Sequence, residues 1–258
     1  IVRAAQGDYD NAMTNLRKAL SIQIKLLGNQ QATLRTRREI GRIFLLYDLD
    51  AAFDEFNDVL ECQREIHGEK HPNIAETLFS LGCAHAKNGD AQRALKTLEE
   101  CYNMRVEFLG TDHPHQAMTL HEIAKIQLDR GRPKKALRIV NAALSITEEA
   151  LSDRHVYFAL QTTTKASSLV TLGQFGDAQE KFTESLRIAQ AAVGENHPSV
   201  AWIYMEVGKS YLRQCKFDQA TDSINEALQR YQTCKDHGGI QTAKEELERI
   251  DRAELLCV

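Results

Sequence analysis

The segments GEKHPNIAETL, GTDHPHQAMTL and GENHPSVAWIY begin at Gly68, Gly110 and Gly194, and their histidines His71, His113 and His197 are spaced by 42 and then 84 residues. The copy expected between the last two is present at His155, in SDRHVYFALQT, with Val156 where the others carry Pro72, Pro114 and Pro198. Further columns keep the same step. They are Ala75, Ala117, Ala159 and Ala201; Gly82, Ala124, Ala166 and Gly208; Ala94, Ala136, Ala178 and Ala220; and Gly89, Gly131 and Gly173, a column that Cys215 breaks. Self-similarity at a fixed spacing of this size marks stacked supersecondary units that pack on their neighbours and share no central core.

One unit can be read from residues 68 to 110. Gly68 can take the left-handed conformation that closes a preceding helix, and Pro72 suits a first helical position, where its missing N–H costs nothing. Ile74, Ala75, Leu78, Leu81, Gly82 and His85 then fall on one helical face. The KNGD segment turns the chain, with Asp90 as N-cap. A second helix carries Ala91, Ala94, Leu95, Leu98, Cys101, Tyr102 and Val106 up to Leu109. Each helix is predicted to have about 16–18 residues, roughly 25 Å. Gly82 and Ala94 let the two backbones of this hairpin approach, with Leu81, Leu95 and Leu98 filling the space beside them. A hydrophobic content of 43% with aromatics at 7% suits helices packed on Ala and Leu, and three of the four prolines lie in the His-Pro pairs.

The order of small and large residues, Leu81-Gly82, then Ala94, Leu98 and Cys101, resembles the tetratricopeptide repeat, whose ordinary period is about 34 residues. The longer period, with linkers running from Leu109-Gly110 to Ala117 and from Val193-Gly194 to Ala201, resembles the repeats of kinesin light chains and of the nephrocystin family. The expected fold is all-α: a right-handed α-solenoid of antiparallel helix hairpins with a 42-residue period. It is expected as one array over residues 1–258. A half unit occupies 1–27, full units occupy 28–67, 68–109, 110–151, 152–193 and 194–235, and 236–258 form a helix that caps the array or begins another unit. The first copy is degenerate, because GNQQATL lacks His-Pro and Gly41 to Gly82 is 41 residues. At the N-terminal end Gly7 and Ala12 match the turn and Ala columns, so the chain opens on the second half of a unit and reads as a piece of a longer protein. In the final segment Ile240, Ala243, Leu247 and Ile250 are expected to face inward.

Function is then sought in surfaces. The His-Pro pairs read as punctuation at helix starts, and no metal site is expected even at HPHQAMTLH, where His113, His115 and His121 stand close in sequence. No nucleophile–base pair or phosphate-cradling glycine cluster is present, so a non-enzymatic protein without cofactors is expected. A net charge of −4 argues against nucleic acid. No segment is apolar enough to span a membrane, and the six scattered cysteines read as reduced intracellular thiols. The first helix of each hairpin is expected to line a concave groove. Its candidate peptide-binding residues are Arg35, Arg38 and Arg42; Phe79, Ser80, Cys83 and Lys87; His121, Glu122 and Lys125; Thr164 and Ser167; and Trp202, Met205, Lys209 and Arg213.

Three of these groups have a particular reading. The arginines at i, i+3 and i+7 form a guanidinium strip suited to carboxylates, or else a solvated face partly paired with Glu39. Trp202 with Met205 offers an apolar anchor, or else packing between repeats. TTTKASS at 162–168 adds a run of hydroxyls. In kinesin light chains an Asn before the Leu-Gly step helps hold the cargo peptide; the matching positions are Ser80, Glu122, Thr164 and Glu206, so that behaviour does not carry over. The expected function is a protein–protein interaction scaffold that binds an acidic or mixed acidic-apolar segment, in the cytoplasm. The alternatives are a structural element of a cytoskeletal or ciliary assembly, or the regulatory repeats of a larger enzyme or NTPase.

Overall fold

The computed structural model describes residues 9–28 and 30–257. Gly7 lies outside them, while its partner Ala12 is buried. The described residues form twelve helices and no strand: α1 Tyr9–Leu27, α2 Gln31–Phe44, α3 Leu49–His67, α4 Pro72–Lys87, α5 Ala91–Leu109, α6 Pro114–Asp129, α7 Pro133–Leu151, α8 Val156–Thr171, α9 Phe175–Val193, α10 Pro198–Leu212, α11 Phe217–Thr233 and α12 His237–Cys257. They group into two compact units, Ile1–Ile126 and Gln127–Val258. Each is built of antiparallel hairpins, α2/α3 and α4/α5 in the first and α8/α9 and α10/α11 in the second.

Helix starts follow the columns. The imidazole Nδ1 of His71 accepts a hydrogen bond from the backbone N–H of Asn73 at 3.2 Å, and His113, His155 and His197 do the same for His115, Tyr157 and Ser199 at 3.2, 3.2 and 3.1 Å. Proline at the first helical position has no N–H, so the next amide is the first orphan donor, and the histidine satisfies it. The repeated His is therefore a cap. Where the degenerate copy carries Gln30 there is no side-chain cap.

The two helices of a hairpin differ in length. First helices such as α4 have 16 residues and second helices such as α5 have 19, against an expectation of near-equal lengths. A Cβ built on Gly82 would stand 2.5 Å from Leu98 Cγ, and one on Gly208 would stand 2.5 Å from Ile224 Cδ1 and 3.2 Å from the Ala220 carbonyl. The glycine thus makes room both for the large side chain opposite and for the backbone at the Ala column. That large position repeats as Phe56, Leu98, Val140, Phe182 and Ile224, all completely buried. In α12, Ala243 and Ile250 are buried and Ile240 and Leu247 pack against the same cluster.

Candidate functional site

In the first unit the arginine strip lies on α2. Arg35 is exposed and lines a pocket of about 430 Å³ with Gln23, Gln31, Thr36 and Glu39. Arg38 and Arg42 both turn to Glu39, at 3.8 and 3.3 Å, so the strip is partly neutralised within its own helix. On α4, Phe79 is half-buried beneath the Arg105 guanidinium, 4.7 Å from the ring centroid. Ser80 is buried and donates to the Glu76 carbonyl, and burial pushes the half-buried Cys83 thiol up. Lys87 is exposed and donates to the Leu45 carbonyl. On α6, His121 is 6% exposed, and burial lowers its pKa to about 4. Burial would raise the neighbouring Glu122, but Lys125 at 3.0 Å and His121 outweigh it and hold the carboxyl below its ordinary value.

Sequence reading did not single out Arg105, the largest fully buried side chain among the described residues. From α5 its guanidinium donates to the His115 carbonyl at 2.8 Å, to Thr119 Oγ1 at 2.6 Å and to Glu76 Oε1 at 2.7 Å. His115 Nδ1 lies 3.1 Å from the same carboxylate oxygen. Burial would raise the Glu76 carboxyl, yet His115 and Arg105 together bring it down to about 2. A buried cation persists only when paired in this way. Its column holds Gln63, Thr147, Ala189 and Tyr231 in the other repeats, and a single arginine in such a column is the signal that could have found it.

In the second unit, Ser167 donates to Glu206 Oε2 at 2.8 Å and Lys209 to Glu206 Oε1 at 3.0 Å. Burial would lower Lys209, but Glu206 prevails and raises it. These side chains and Arg213 line a pocket of about 450 Å³ together with Thr171 and Ser210. Ser167, Lys209 and Arg213 are thus brought together. Thr164 is buried and donates to the Leu160 carbonyl. Met205 is 2% exposed and sits in the core with Ala201, Ala220 and Ile224, while Trp202 packs half-buried against a neighbouring core cluster. The apolar anchor is corrected on this point: as placed, Met205 faces the core, where the hairpin seam covers it.

A pattern links these positions. Two places before the small-residue column stand Glu39, Ser80, Glu122, Thr164 and Glu206, and three residues on from these stand Arg42, Cys83, Lys125, Ser167 and Lys209. Each glutamate is paired at i+3 with its cation, and the intervening repeats carry small hydroxyl or thiol groups. Among the described residues no group of three or more His, Cys, Asp or Glu side chains is placed to hold a metal ion. No described helix is long and apolar enough to cross a membrane.

A family model described as Tetratricopeptide repeat matches residues 46–105, 84–149 and 158–233, and a second so described matches residues 3–23. No curated protein matches the chain. Several solved structures are similar in fold. One is described as kinesin light chain nearly identical TPR-like repeats from Podosopora anserina, with 20% identity, 78% of this chain and 96% of that one covered, and a TM-score of 0.56. Another is BtubC (BKLC) from P. vanneervenii, with 14% identity, 90% and 91% covered, and a TM-score of 0.61. A third is a Rap protein complexed with Competence and Sporulation Factor, with 11% identity, 96% and 73% covered, and a TM-score of 0.63. The family models cover more than half of the chain, and the spacing of its columns is constant over four copies. The chain belongs to the tetratricopeptide repeat family, in a form with a period of 42 residues.

Proposed function

We propose that this chain is a non-catalytic protein-interaction scaffold that holds an acidic or mixed acidic-apolar segment of a partner protein along the exposed edges of its first helices. The observation that carries the reading is the pocket holding Ser167, Lys209 and Arg213. Its glutamate already has both oxygens engaged by Ser167 and Lys209. Asp129 lines the same pocket, and what stands beside that carboxylate for a ligand is the Lys209 ammonium, the Arg213 guanidinium and the Ser210 hydroxyl. Arg213 and Arg35 make no ion pair among the described residues, and a guanidinium fork recognises carboxylates. That a structure similar in fold is a Rap protein complexed with Competence and Sporulation Factor agrees with ligand binding by this kind of repeat.

The test compares the chain with two double variants, Lys209→Glu/Arg213→Glu and Arg35→Glu/Arg42→Glu. Proteins retained from a cell extract are counted, and crosslinks to them are mapped. Loss of the retained set with preserved helical circular dichroism, and crosslinks on first helices, is the expected result. An unchanged set in both variants, or crosslinks confined to second helices, would overturn the reading.

A further inference from the structure

The turn between α6 and α7 and the first residues of α7 read RGRPKKALR, from Arg130 to Arg138. Arg130, Arg132, Lys134, Lys135 and Arg138 are all exposed, and the segment contains no acid. None of the five makes an ion pair among the described residues, whereas the arginines of α2, α5 and α11 are held by carboxylates in several places. In a chain with net charge −4 this is a local concentration of free positive charge.

Local stability does not account for it. The positive end of a helix dipole lies at its N-terminus, so cations in a first turn are disfavoured and carboxylates are favoured. The other second helices obey the rule. Asp48 caps α3 by accepting from the Ala51 N–H, and Asp90 caps α5 by accepting from the Arg93 N–H. Asp177 and Asp218 lie in the first turns of α9 and α11. At the matching place α7 has Arg132, which makes no cap hydrogen bond, followed by Pro133, Lys134 and Lys135, with no acid in its first turn. Thus α3, α5, α9 and α11 each carry at least one aspartate at the cap or in the first turn and α7 carries none, although α11 also has a cation, Lys216, at the cap position.

We propose that this basic turn is a docking surface for an acidic segment of a partner protein. The groove reading above is separate from it, since the residues differ. The patch has no exposed aromatic ring on which a nucleic-acid base could stack and no exposed large apolar side chain to enter a lipid surface. A duplex carries one charge about every 1.7 Å and would run beyond these nine residues, in a chain where acids outnumber bases, 36 to 32. A short run of Asp and Glu on a flexible segment places its charges within the patch alone. Such contacts act over about 8 Å at physiological salt and govern encounter more than lifetime.

The experiment uses the whole chain and a fluorescent oligo-glutamate peptide of about ten residues, with duplex DNA and vesicles containing phosphatidylserine as competing probes, at low salt and with salt added. The key variant is Arg132→Asp/Lys134→Glu/Lys135→Glu, which reverses the charge of the α7 start and gives it acids at the cap and in the first turn. Expected are saturable, salt-sensitive binding of oligo-glutamate and a loss of at least roughly tenfold in the variant, from reversing three contacts. The variant is also expected to unfold at the same or a higher denaturant concentration. Arg187→Glu/Lys244→Glu, a change of two exposed cations that neither reading uses, should stay within about twofold of the parent. Equal binding by the variant, no saturable binding, tighter binding of DNA or vesicles than of oligo-glutamate, or earlier unfolding of the variant would each overturn the proposal.

Discussion

Ser152 stands where three other repeats have glycine. It ends α7 at φ 90° and ψ 156°, matching Gly68, Gly110 and Gly194 at φ 77°, 84° and 84°. That region is almost closed to residues with a Cβ, and holding one there costs about 1–3 kcal/mol. Ser152→Gly removes this strain. Against it stand about 0.5–1 kcal/mol from a freer unfolded chain and about 0.5 kcal/mol from losing the exposed bond in which Ser152 Oγ accepts from the Arg154 N–H at 3.0 Å. The expected net effect is a stabilisation of about 1 kcal/mol. Urea unfolding followed by circular dichroism reads it globally. Amide exchange at the end of α7 and the start of α8 reads it locally, as stability in a repeat chain is a sum of neighbouring contributions. Ser152→Ala serves as the control: it keeps the strain, loses the hydroxyl, and should be about 0.5 kcal/mol less stable than the parent. A glycine variant no more stable than serine, together with an alanine variant at least as stable, would refute the strain argument.

The remaining predictions concern other parts of the scaffold. Arg105→Ala should destabilise by about 3–5 kcal/mol in denaturant unfolding, because Glu76 loses its buried partner; adding Glu76→Gln should restore part of the loss, and additive effects would count against the pairing. Gly82→Ala should cost about 1–3 kcal/mol by pressing on Leu98, and Gly82→Ala/Leu98→Val, the pair of residues found one repeat later, should recover much of it. For His121 the folded pKa lies below the ordinary 6.5, at about 4, so the folded state binds fewer protons than the unfolded state between those values. Its contribution is fully present above pH 6.5 and is lost as pH falls toward 4, by roughly 3 kcal/mol in all. A stability profile that stays flat from pH 6.5 to 4.5 would contradict the buried neutral imidazole.

The columns alone determined much of this molecule. A step of 42 residues, a His-Pro pair, and small residues at fixed offsets are local signals, and they sufficed for the hairpins, the helix starts and the inward face of α12. Periodicity names the side of a helix, however, and packing decides how much of that side stays open. Ser80, Thr164 and Met205 fall at groove-side spacing but lie under neighbouring helices, because a first helix within an array is flanked on more than one side. Arg38 and Arg42 share Glu39, Ser167 and Lys209 share Glu206, and Arg105 finds Glu76 and Thr119. The Arg105 contacts join residues far apart along the chain, and only folding sets which oxygens a buried cation reaches. The basic run at Arg130–Arg138 stands in the sequence as a cluster of charge, yet sequence reading did not single it out. Its conflict with the helix start became visible only when the cap of α7 could be set beside the aspartate caps of α3 and α5. Pattern in sequence records what each residue prefers locally, while tertiary contact decides which preferences are met and which are left free for a partner.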